Sequence, residues 1–187
     1  MGRYAKQPEA TFEHAPPGTH LGICTSVIDL GTQHDEYQGK PITRNRVLIQ
    51  WEIQDAVREN GEPFVIGKFY TNSLSEKANL RRDLESWRGK AFSAQELNSF
   101  DLAKILGAPC LLTVVESAEK SEVAAVIQVQ KGVAVPAEPR SALRSFFLDD
   151  WEQLAFDLLP AGLQKIIERS DEYRAMRAST GTELRTP

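Results

Sequence analysis

At 187 residues, with 41% hydrophobic side chains and a formal net charge of −4, the chain has the size and composition of one globular domain with appendages rather than two equal domains. No apolar run approaches the roughly 20 residues that span a bilayer, and the opening MGRYAKQPEATFEHAPPGTH holds no signal-peptide stretch, so a cytoplasmic protein without membrane association is expected. Cys24 and Cys110 stand far apart, without a C-x-x-C or a zinc-like Cys/His spacing, and read as small core residues rather than disulfide or metal partners.

The acidic total conceals a local basic surplus. Residues 40–90 hold 10 basic and 7 acidic side chains, against 2 and 5 over 1–39, 4 and 6 over 91–140, and 6 and 8 over 141–187. Screening limits each charge to about 8–10 Å at physiological salt, so a basic surface in the middle of an acidic chain can still hold phosphate.

In chain order, residues 1–17 are polar and read as a flexible segment. A first strand is expected from Thr19 to Leu30, followed by the polar loop GTQHDEYQGK. The second, Ile42 to Ile53, alternates: Val47, Ile49, Trp51 and Ile53 face one way, while Arg44, Arg46, Gln50 and Glu52 face the other, with Leu48 the exception on the polar side. Asn60 and Gly61 mark a hairpin turn into a third strand, Phe64 to Asn72. Ser73 and Glu76 have capping-box spacing, Leu80, Leu84 and Trp87 form a helical stripe, and Gly89 follows the last turn. Ser93 with Glu96 opens a shorter helix. Strands four and five are expected at Cys110–Glu116 and Val123–Val129.

Three strands, a helix and two strands within residues 18–130 match a five-stranded OB-type barrel, mainly β with a helix between strands three and four. KGVAVPAEPRSALR, with two prolines, then reads as a linker over 131–146. C-terminal helices are expected over 147–175, with Trp151, Leu154, Leu158 and Ile166 on apolar stripes that need a cover, and a disordered tail over 176–187. These helices must dock on the barrel, on a partner or on a second copy, and the proline-containing linker favours a separable appendage over docking on the barrel.

A single-strand binder needs a positive groove along the backbone and flat side chains for base stacking. With Val65, Phe69 and Thr71 inward, strand three shows Lys68 and Tyr70 outward beside Arg44 and Arg46: phosphate contacts from the cations, stacking on Tyr70. The competing reading is an ordinary solvent-facing sheet, or a face covered by protein, since Phe64 and Ile66 share the parity of Tyr70. Tyr37, in the first loop, is the better exposed aromatic, while Trp51 and Trp87 belong to the core. Lys77, Arg81 and Arg88 line the helix and could extend the path, against a solvated helix with Arg81 paired to Glu85. His14, His20 and His34 are scattered, and no P-loop, G-x-S-x-G or H-E-x-x-H occurs, so no catalytic residue, metal site or cofactor is expected.

GTHLGICTSVIDLGTQ, NSLSEKANLRRDLESWRGKAF, FDLAKILGAPCLLTVV and the ending FDLLPAGLQKIIERSDEY resemble phage- and prophage-encoded single-stranded DNA-binding proteins found among replication and recombination functions. The resemblance covers about residues 18–130 and the C-terminal segment, and implies an OB-type fold, single-stranded DNA as ligand, and replication or recombination proteins as partners, in the bacterial host cytoplasm. The chain departs from bacterial relatives of that class in ending TGTELRTP instead of an acidic tip; its acidic aromatic stretch FFLDDWEQLAFD is internal. That stretch is read as a docking peptide, a competitor for the basic face, or core packing. The expectation is a non-catalytic single-stranded DNA binder, possible as a homo-oligomer, with a protein-interaction module that recruits or inhibits a host protein as the alternative.

Overall fold

The computed structural model describes residues 13–117 and 120–183. Its strands are β1 (Gly18–Tyr37), β2 (Lys40–Val57), β3 (Pro63–Thr71), β4 (Pro109–Glu116), β5 (Ser121–Ile127) and the short β6 (Arg144–Phe146). Its helices are α1 (Asn79–Arg88), α2 (Ala94–Asn98), α3 (Gln153–Asp157), α4 (Ala161–Ile167) and α5 (Asp171–Glu183), with a 3-10 turn at Leu102–Ile105. The six strands form one mainly antiparallel sheet in the order β3-β2-β1-β4-β5, with β6 added parallel to β1. The path is open, which corrects the expectation of a closed barrel: β3 and β5 approach with Cα atoms inside 8 Å, but no ladder joins them.

The expected polar loop is strand. β1 and β2 pair as far as Tyr37 and Lys40, and the chain reverses at Gln38 (φ 52°) and Gly39 (φ 74°), the positive-φ pair that a tight hairpin of this twist requires. This polar arm is fixed from outside: Thr32 donates through its N–H and its hydroxyl to Glu172, both at 2.7 Å, and His34 meets Asp171 at 2.8 Å.

One face of the sheet carries the larger core, where Val27, Val47, Ile49, Trp51, Ile53, Leu112 and Val126 meet the α1 stripe of Leu80, Leu84 and Trp87. Trp51 and Trp87 pack with ring centroids 5.9 Å apart, and both lie in the core as expected. The α1 N-terminus differs from expectation. The helix starts at Asn79, and Ser73 accepts from the N–H of Ser75 in a turn instead of capping it. Gly89 closes the helix in the left-handed conformation, and Ser93 with Glu96 does form a capping box on α2.

The other face carries a second core built by the C-terminal segment. Ile28, Leu30 and Leu48 are covered by Phe146, Phe156, Leu159 and Ile167, with Trp151, Ile166 and Tyr173 packed against them. Residues 131–146 therefore end in a strand of the sheet, and residues 147–175 dock on it, instead of forming a linker and a separable appendage. Leu48, out of place on a polar face, is buried here. Burying side chains of this kind is worth about 1.5–3 kcal/mol each, more than a flexible tether could forgo. Two covered faces also explain why β1 is buried without interruption from Gly22 to Ile28. Residues 176–183 continue α5 where a disordered tail was expected; the ends of the flexible and tail segments, 1–12 and 184–187, lie outside the described residues.

Candidate nucleic-acid interface

Cross-strand partners share a face, so the β2–β3 register decides what the outer face displays. Near the turn Val57 faces Pro63, but beyond an irregularity Glu52 faces Val65, so β2 advances five residues while β3 advances two. An odd excess of three inverts β3 relative to β2. Val47, a core residue, now faces Tyr70, and outward-facing Arg46 and Leu48 face Thr71 and Phe69.

The patch expected from Arg44, Arg46, Lys68 and Tyr70 is accordingly divided. Tyr70 is 3% exposed and its hydroxyl donates to Asp83 at 2.9 Å; burial, and then the adjacent Asp83 carboxylate, push its ionisation far above the ordinary tyrosine range. It cannot stack on a base. Lys68 points the same way and pairs with Asp83 at 2.7 Å, so its charge is largely compensated inside the molecule.

The flat side chain on the outer face is Phe69, placed inward by the sequence reading and 47% exposed in the structure. The Arg46 guanidinium lies over its ring at 5.2 Å to the centroid and 3.6 Å from Asp35. Arg44, exposed, precedes Arg46 on the same face. These residues border a groove of about 420 Å³ whose lining also includes Thr71, Ser73, the exposed Lys77 and the little of Tyr70 that reaches the surface. Arg44 and Lys77 form no ion pair among the described residues. Arg44, Lys77, the Arg46 guanidinium over the Phe69 ring and the hydroxyls of Thr71 and Ser73 are the kinds of group that a phosphate-and-base site uses.

The remaining candidates separate from it. Arg81 pairs with Glu85 at 3.0 Å, and Arg88 pairs with Glu96 and lies over Phe92 at 4.3 Å, so both stabilise the α1–α2 region. Tyr37 is exposed at the hairpin tip. Trp151 and Ile166 pack on the second core, whereas Leu154 and Leu158 are 71% and 64% exposed. Packing of α3 on β6 leaves Phe156 buried and turns these two leucines away. The acidic aromatic stretch thus packs largely through its aromatic residues instead of covering the basic groove.

His20 bonds Asp55 and the Pro16 carbonyl, His34 bonds Asp171 and Thr43, and no group of three or more potential metal ligands occurs among the described residues. Burial raises both thiols, Cys24 to about 12. No described helix is long and apolar enough to cross a membrane. No protein-family model, curated protein or solved structure matches the chain.

Proposed function

We propose that the chain is a non-catalytic single-stranded DNA-binding protein on an OB-type scaffold, acting in phage replication or recombination. The observation that carries this reading is Phe69, a large aromatic side chain left half in solvent under the Arg46 guanidinium and beside Arg44 and Lys77, which form no ion pair among the described residues. A single strand presents both the phosphates and the flat bases that a half-exposed ring beside cations receives. The strand path and the helix between β3 and β4 support the scaffold; the resemblance of the sequence to phage single-stranded DNA-binding proteins supports the setting.

Anisotropy of a labelled poly-dT oligonucleotide against duplex at two salt concentrations tests the reading. Preference for the single strand is expected, with log K falling by about 0.7 per neutralised phosphate against log salt. Replacing Arg44 and Arg46 by Ala weakens binding on every sequence. Equal affinity for duplex, or no effect of that variant, overturns the assignment. A protein-interaction module remains the second reading, favoured by Leu154 and Leu158, whose surroundings from Ser145 to Gln164 carry four acidic and no basic residues.

A further inference from the structure

The outer face of β3 continues past the groove. Thr71, Phe69, Gly67 and Val65 are all exposed and lie on it in succession. At Gly67 a Cβ would stand 3.1 Å from Leu48 Cδ1 and 3.2 Å from Gln50 Cγ, so the strip between Phe69 and Val65 is a bare saddle over those two side chains. Beyond Val65 lies a second cleft of about 390 Å³, lined by Arg58, Glu62, Pro63, Arg140 and Ser141.

Arg140 comes from a segment far along the chain, and Glu52 brings it here. The Glu52 side chain is fully buried on the outer side of β2 and accepts the N–H groups of Arg140 at 2.8 Å and Ser141 at 2.6 Å, one on each oxygen, with Gln54 at 2.9 Å. Arg140 and Arg58 make no ion pair among the described residues; Arg58 lies over the Phe64 ring at 5.1 Å, and Glu62, the acidic residue of the cleft, bonds Asn60.

We infer that Arg58 and Arg140 form a second phosphate-binding end, held by Glu52, so that the face takes an extended polyanionic strand gripped at both ends. This rests on the single-strand reading above and adds a length requirement to it. From Thr71 to Pro63 is eight strand steps, about 26 Å at 3.3 Å each. That exceeds the screening length of about 8 Å, so the two ends act independently and a ligand gains the second only by reaching it.

The test compares labelled oligo-dT of about 4 nucleotides, whose phosphodiesters suffice for Arg44, Arg46 and Lys77, with one of about 12, roughly 14 and 41 Å long at 3.4 Å per stacked nucleotide, over a salt series. The log K–log salt slope of the long oligonucleotide is expected to exceed that of the short one by about 1.4, two phosphates at about 0.7 each. In the double variant Arg58→Ala with Arg140→Ala, checked for folding by its thermal melt, that excess disappears. Equal slopes for both lengths in the parent protein, or an undiminished excess in the double variant, overturn the second end. Failure of the long oligonucleotide to bind at all overturns the single-strand reading itself, and the two failures are told apart by the long-oligonucleotide signal.

Discussion

Glu52→Gln is the substitution whose consequence follows most directly from the geometry. The native carboxylate presents an acceptor to each of two backbone N–H groups, whereas an amide presents one acceptor and turns its own N–H donors toward the other. One buried donor then loses its partner, a cost of about 1–3 kcal/mol, and the surviving bond loses its charge assistance, about 1 kcal/mol more. The expected destabilisation is about 2–4 kcal/mol, which for a domain of this size lowers Tm by roughly 4–16 °C. The effect depends on pH. Burial pushes the Glu52 carboxyl up, but the hydrogen bonds from Ser141, Arg140 and Gln54 outweigh it and hold the group below the usual range. A depressed carboxyl contributes stability in full above its unfolded value, near 4.3, and loses it as pH falls through the folded value. Thermal melts of both proteins from neutral pH downward should therefore show a gap that is constant near neutrality and closes under acid conditions. A gap below about 0.5 kcal/mol at neutral pH, the range of an ordinary surface change, would refute this account of the fastening, as would a gap that widens with acid.

Phe69→Ala should leave Tm nearly unchanged, because the ring is half in solvent, while weakening oligo-dT binding by about 1–3 kcal/mol, the worth of one stacked base; anisotropy and a melt together check it. Asp83→Ala strands Lys68 and the Tyr70 hydroxyl and should cost about 3–5 kcal/mol in urea unfolding, as for a buried pair stripped of one partner. Deletion after Ala134 removes the cover from Ile28, Leu30 and Leu48, so light scattering should show aggregation or a melt should show early unfolding; a truncation as stable as the full chain would contradict the second core.

The strand pattern of β2 was legible because one continuous face of it, Val47 to Ile53, is core, and period-two alternation reports just that. The succession of β1 to β5, α1 with its Gly89 stop and the α2 capping box were legible for the same local reasons, whereas β6 was read as linker. Of the four residues expected to share one patch, the alternation of β2 placed two as the structure has them. Arg44 and Arg46 stand on the outer face, but the three extra residues of β2 between Val57 and Glu52 invert β3, exchanging Tyr70 for Phe69, and no local propensity encodes the size of such an irregularity. Leu48 was the available signal: an apolar residue on a polar face announces a cover, and the stripes of residues 147–175 were the segment able to supply it. Glu52 looked like one more solvent-facing charge. Its partners lie 88 and 89 residues away, beyond what spacing can report.

The most direct test of the central claim is a titration of the full-length protein with oligo-dT followed by backbone amide NMR shifts. The account predicts perturbations concentrated on residues 44–46 and 65–71 and around Lys77, joined by Arg58 and Arg140 with an oligonucleotide long enough to reach them, and the α3 amides around Leu154 and Leu158 unmoved. Shifts centred on α3, or none at saturating oligonucleotide, would contradict it.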